Sequence, residues 1–145
     1  MREETLIRGL STSRANLVLV GNELRTAHGP GVLVDRLAPR LAPPAIVDSV
    51  RNPGEVQALR RLEGFFLLGV DAPPEVRLAR IKMRGRLGDI RTAAEFKRYE
   101  SRENSDDSRG QRISATLEMA GAIVVNDASL EKLHDKGIAV LERLA

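Results

Sequence analysis

The sequence predicts an α/β fold, three αβα layers around a mainly parallel sheet, from three observations. Three short runs rich in β-branched and aliphatic residues are each followed by a helical pattern. None of the runs alternates cleanly between apolar and polar residues, which suits strands covered on both faces. The helix starts are marked by capping residues and prolines.

Taken in order, Leu17, Val20 and Leu24 lie on one face of an early amphipathic helix that His28-Gly29-Pro30-Gly31 ends. Ala45-Ile46-Val47-Asp48-Ser49 is the first expected strand. Asn52-Pro53-Gly54-Glu55 then supplies a capping residue, a proline at the first helical position and a glutamate at the third. Phe65-Phe66-Leu67-Leu68-Gly69-Val70-Asp71 is the second strand, and Pro73-Pro74 opens a helix with Val76, Ala79 and Met83 on one face. The stretch 84–110 is charged and nearly devoid of large apolar residues apart from Phe96, so it reads as an exposed, lid-like excursion. Within it Thr92-Ala93-Ala94-Glu95 is a second capping box. Ala122-Ile123-Val124-Val125-Asn126 is the third strand. A last helix carries Leu130, Leu133, Val140, Leu141 and Leu144, weakened by Gly137. No repeat or linker interrupts residues 1–145, so a single domain is expected.

Apolar residues make up 42% and charged residues 30%, a balance that supports a packed core. Aromatics at 3% argue against stacking of single-stranded bases. The absence of cysteine excludes disulfides, thiolate zinc sites and cysteine nucleophiles. His28 and His134 are far apart and both read as structural. No run approaches membrane-spanning length and the start Met1-Arg2-Glu3-Glu4-Thr5 has no apolar signal, so a cytoplasmic protein without membrane contact is expected. The net charge is +3 and the basic residues are mostly arginine. They are interleaved with acidic residues and no nucleic-acid motif appears, which argues against a nucleic-acid partner.

Two stretches are candidates for chemistry. Asp48 ends an expected parallel strand, where open α/β sheets bind ligands, and could hold a magnesium-bound water. Arg51, just before a helix start, could grip a phosphate. The alternative is a turn in which Asp48 only hydrogen-bonds the loop. Arg77, Arg80 and Arg84 form a stripe on one helix, with Arg86 beyond it. Either Glu75 and Asp89 neutralise a solvated face, or the arginines neutralise a phosphoryl group. Ser105-Asp106-Asp107-Ser108 lacks the spacing of a calcium loop.

Val47-Asp48-Ser49-Val50-Arg51, followed by Gln57 and Leu59, resembles the Asp-Gly-x-x-Arg segment of adenylate-kinase-like nucleoside monophosphate kinases. Arg51 to Val56 with Phe65 to Pro73 is similar to dephospho-CoA-kinase-like proteins and to the kinase-like N-terminal region of some deoxycytidylate deaminases. Gly21 to Arg25, His28 to Gly31 and Ala120 to Asp127 extend the resemblance. It implies a P-loop kinase-like sheet and phosphoryl transfer from ATP, with Mg2+, to a nucleotide or similar small acceptor. By the same resemblance Arg2 and Arg51 bind the acceptor phosphate, and Asp48 is catalytic and near the metal. Arg80, Arg84 and Asn126 contact the donor nucleotide, Arg84 also serving catalysis, and Arg102 or Arg109 adds a contact from the 84–110 excursion. The departure is that no Gly-x-x-x-x-Gly-Lys-Ser/Thr phosphate loop and no first strand precede these segments. The expectation for this chain is therefore impaired transfer. The alternatives are a non-catalytic nucleotide- or phosphate-binding module, or an interaction module whose open strand edges pair with a second copy or another chain.

Overall fold

The structure, a computed structural model, describes residues 2–85, 90, 92–104 and 110–144. In chain order the elements are α1 (Arg2–Ile7), α2 (Arg14–His28), α3 (Val32–Leu37), a 3-10 turn (Ala38–Arg40), α4 (Pro53–Leu59), β1 (Leu68–Asp71), α5 (Pro74–Arg84), α6 (Ala93–Glu103), α7 (Ile113–Leu117), β2 (Ala122–Val125) and α8 (Leu130–Leu141). They form two compact units: Met1–Phe65 with Glu103–Met119, and Phe66–Arg102 with Ala120–Ala145. The fold is mixed α/β with a parallel sheet, and among the described residues that sheet has two strands.

The first unit is helical. Ser13 caps α2 by accepting the N–H of Asn16 at 3.3 Å, and Gly29 ends the helix by donating to the Arg25 carbonyl at 2.9 Å. Val20 and Leu24, one turn apart, pack with Val32 of α3, and Leu10 and Leu33 cover them. A second cluster joins Val34 of α3 to Ala58 and Leu59 of α4, with Val47, Val50, Leu62 and Phe65 against it. Burial of Leu59, 1% exposed, stabilises the unit by about 2 kcal/mol. Asn52 caps α4 as its position predicts: its Oδ1 accepts the Gly54 N–H at 2.8 Å. The same side chain donates from Nδ2 to the Gly110 carbonyl at 2.8 Å, and Arg112 N–H donates to the Arg51 carbonyl at 2.9 Å. The 110–112 segment is thereby clipped onto the start of α4.

In the second unit β1 and β2 pair in parallel, Leu68 opposite Ala122 and Asp71 opposite Val125. Both lie inside the expected runs. Gly121 donates to the Leu67 carbonyl at 2.9 Å just before the ladder. The expected capping box of α6 forms in both directions: Thr92 N–H donates to Glu95 Oε2 at 3.1 Å, and Glu95 N–H donates to Thr92 Oγ1 at 3.2 Å. Phe96, the apolar exception in its stretch, is buried.

Three expectations need correction. Ala45–Ser49 is not a strand: no ladder forms along it, Ile46 is 96% exposed, and Ser49 turns the chain with φ 67°. An apolar run becomes a strand only where another strand takes its N–H and C=O groups. Met83 is not on a buried face of α5 but is 86% exposed. The α8 face is also largely open, with Leu130 and Leu141 exposed, and Leu144 lies beyond the end of the helix. Asp89, Arg86, the side chain of Arg102, Arg109 and the 105–108 loop lie outside the described residues.

Gly54 is required by a close approach. A Cβ there would lie 2.5 Å from Pro30 Cβ and 3.0 Å from the Pro30 carbonyl carbon. Gly54→Ala is expected to lower the unfolding free energy by about 1–3 kcal/mol, read from the urea midpoint. An unchanged midpoint would mean that the Pro30 loop yields freely.

Candidate functional site

The site is built on a charged pair that joins two helices. Arg25 stands in the last turn of α2, and Glu55 occupies the third position of α4. Arg25 Nη2 donates to Glu55 Oε1 at 2.8 Å, and the two side chains are 9% and 6% exposed. Glu55 Oε2 accepts the N–H of Arg51 at 2.9 Å, so both carboxylate oxygens are engaged. A buried ion pair holds only when geometry is good and the remaining polar atoms are satisfied; Glu55 meets both conditions, while the Nε of Arg25 is buried without a hydrogen bond.

Glu55 also forms part of the wall of a cavity of about 560 Å3 in the first unit. Small-molecule sites span roughly 300–1,000 Å3. Leu24, Leu33, Val34, Val47 and Val50 give the cavity an apolar lining, and Glu3, Glu4, Arg36, Arg40 and Asp48 give it charge. Arg36 Nη1 donates to Glu4 Oε2 at 2.8 Å, and Arg40 Nη1 donates to Glu3 Oε2 at 3.1 Å. Glu4 also receives Arg8 at 3.2 Å, and Arg8 reaches Glu23 of α2 at 2.7 Å. The hydrogen bond from Arg8, against a smaller opposing effect of desolvation and with the charge of Arg36 helping, holds the Glu4 carboxyl below the usual glutamate range.

The residues expected from the sequence are distributed over both units. Asp48 lines the cavity, and its Oδ1 accepts the N–H of Ser49 at 2.6 Å. Arg51 presents its N–H to Glu55 and its Nη1 to Gln111 Oε1 at 3.3 Å. Arg2 is exposed at the start of α1. Arg80, Arg84 and Asn126 belong to the second unit, where Arg80 and Asn126 meet. Arg80 Nη1 donates to the Asn126 carbonyl and Nη2 to the Ala128 carbonyl, both at 3.0 Å. Asn126 N–H donates to the Asp71 carbonyl at 2.6 Å, which holds both at the carboxyl ends of the two strands. Arg84 is exposed at the end of α5. Arg77 of the same stripe pairs with Glu100 at 2.6 Å and lies 5.6 Å from the Phe96 ring centre. The acidic partner expected at Glu75 is thus found on α6. Among the described residues no group of three or more His, Asp or Glu side chains is placed to hold a metal.

Sequence reasoning missed Arg25, Arg36 and Arg40. The partners of Arg25 and Arg40 lie thirty or more residues away, so no local spacing reveals the pairs. The local signal was the four-residue spacing of Arg36 and Arg40, the first in α3 and the second in the 3-10 turn that follows it.

No family model matches the chain. The UPF0200 protein of Hyperthermus butylicus is 32% identical over 148 residues, covering 99% of this chain and 77% of that protein. The UPF0200 protein of Methanothrix thermoacetophila is 33% identical over 152 residues, covering 99% and 80%. The UPF0200/UPF0201 protein of Archaeoglobus fulgidus is 32% identical over 153 residues, and the chain spans 46% of its length. These relatives overturn the expected membership of the adenylate-kinase-like or dephospho-CoA-kinase-like kinases. The residues that carried that resemblance lie in a chain whose full-length similarity is to UPF0200 proteins, and those names state no kinase activity.

Two predictions follow the charges. Arg25→Met leaves Glu55 buried without its cation and is expected to cost about 3–5 kcal/mol in urea unfolding. A loss under 1 kcal/mol would show that water reaches Glu55. Glu4, held below its unfolded value, adds stability that is complete above the ordinary glutamate range and disappears as pH falls through its folded value. Glu4→Gln should therefore be less stable than the parent at pH 7, and the difference should vanish in acid. Parallel stability curves for the two proteins would contradict this.

Proposed function

The chain belongs to the UPF0200 family, and we propose that its first unit binds a nucleotide or a similar small phosphate-bearing molecule in the cavity lined by α1, α3 and residues 47–50. The observation that carries this reading is the pair Arg36 and Arg40 on the cavity wall. Their carboxylate pairings are solvent-exposed, 46% and 28% for Arg36 with Glu4, and 70% and 69% for Arg40 with Glu3. Exposed pairs of this kind contribute about 0–1 kcal/mol each, so an incoming phosphate can replace them. Guanidinium groups bind phosphate oxygens with paired hydrogen bonds, which favours that exchange. The apolar lining from Leu24, Leu33 and Val34 suits the uncharged body of such a ligand.

Transfer of a phosphoryl group from ATP needs more than this chain's residues offer. Asp48 supplies one carboxylate, whereas the described residues hold no metal-ligating cluster and the sequence has no phosphate loop. Binding is the function proposed for these residues.

Calorimetric titration of AMP into the chain is expected to give saturable binding, weakened at least tenfold by Arg36→Ala with Arg40→Ala. No binding, or equal binding to the double variant, would refute the reading. ATP with magnesium in parallel should show no turnover.

A further inference from the structure

Helix α1 has little apolar attachment. Leu6 and Ile7 are 61% and 76% exposed, and Thr5 is its buried side chain. What ties its polar face to the rest of the first unit is charge: Glu3 to Arg40, Glu4 to Arg36, and Glu4 with Arg8, which reaches Glu23. Glu3, Glu4, Arg36 and Arg40 all line the cavity. The helix is therefore anchored to the same guanidinium groups that the cavity offers to an anion.

We infer that α1 is an autoinhibitory strap: Glu3 and Glu4 occupy Arg40 and Arg36 in place of the ligand's anionic group, and an anionic ligand must displace them to bind. This rests on the binding reading above and extends it to how the site is controlled. Two effects act in the same direction. The carboxylates engage donors that the phosphate needs, and their negative charge disfavours an anion in the cavity. A ligand and a docked helix that share contacts oppose each other reciprocally, so ligand binding loosens α1 to the same degree that α1 weakens ligand binding. The buried Arg25–Glu55 pair lies outside this exchange, because its separation would leave a charge without water or partner.

The test uses AMP as probe on the full chain. Glu3→Gln with Glu4→Gln keeps side-chain size and removes the competing charges, and it should bind AMP roughly tenfold more tightly than the parent. Glu23→Gln removes an Arg8 partner away from the cavity and should leave the affinity within about twofold. In the parent, backbone hydrogen exchange of residues 2–7 should speed up when AMP is added. That measurement stands even if the double variant fails to fold. Equal AMP affinity for parent and double variant, or slower α1 exchange on binding, would overturn the strap while the site itself stood. Absence of AMP binding to both would overturn the site and the strap together.

Discussion

The contact between Arg25 and Glu55 constrains the first unit more than any other single interaction. A carboxylate buried at the start of α4 must find a cation, and Arg25 at the end of α2 supplies it. Arg25 Nη2 and Glu55 Oε1 meet at 2.8 Å and so link the two helices. The second oxygen of Glu55 takes the N–H of Arg51, which fixes the backbone leading into α4. From there Asn52 and the Arg51 carbonyl capture residues 110 and 112, so a segment distant in sequence is held by polar contacts rather than by a large apolar surface. The cavity inherits its wall from this arrangement.

Exposure separates the ion pairs into two kinds. Arg25 with Glu55 is closed to water and carries the full penalty of a stranded charge when broken. Arg36 with Glu4 and Arg40 with Glu3 remain in contact with solvent, and water stands ready to replace either partner. The same chemistry, arginine with glutamate, is thus structural in one place and exchangeable in another. Desolvation makes the difference.

In the second unit arginine serves the main chain. The two-stranded sheet offers few backbone partners, and the connection from β2 to α8 is fastened by Arg80 on two carbonyls and by Lys136 on the Val125 carbonyl and Asp127. The hydrogen bond from Lys136 holds the Asp127 carboxyl below its ordinary range. Arg77, packed against Phe96 and Glu100, ties α5 to α6. Side chains that a sequence presents as a charged stripe here satisfy loops and link helices. Among the described residues no helix is long and apolar enough to cross a membrane.

Local chemistry was legible in the sequence: the capped start of α4 at Asn52, the reciprocal Thr92 and Glu95 box and the glycine stop of α2. Each depends on residues within a few positions of one another, so spacing alone determines it. Tertiary structure decided whether the run at Ala45–Ser49 had a strand beside it, which of the arginines lost water, and which carboxylate each one found. Asp48 lies on the cavity wall although the strand end from which its role was expected does not form, whereas Arg36 and Arg40 reach that wall from α3, packed on α4, and the 3-10 turn after it. Strand pairing and desolvation are set by neighbours far along the chain, and no local pattern encodes them.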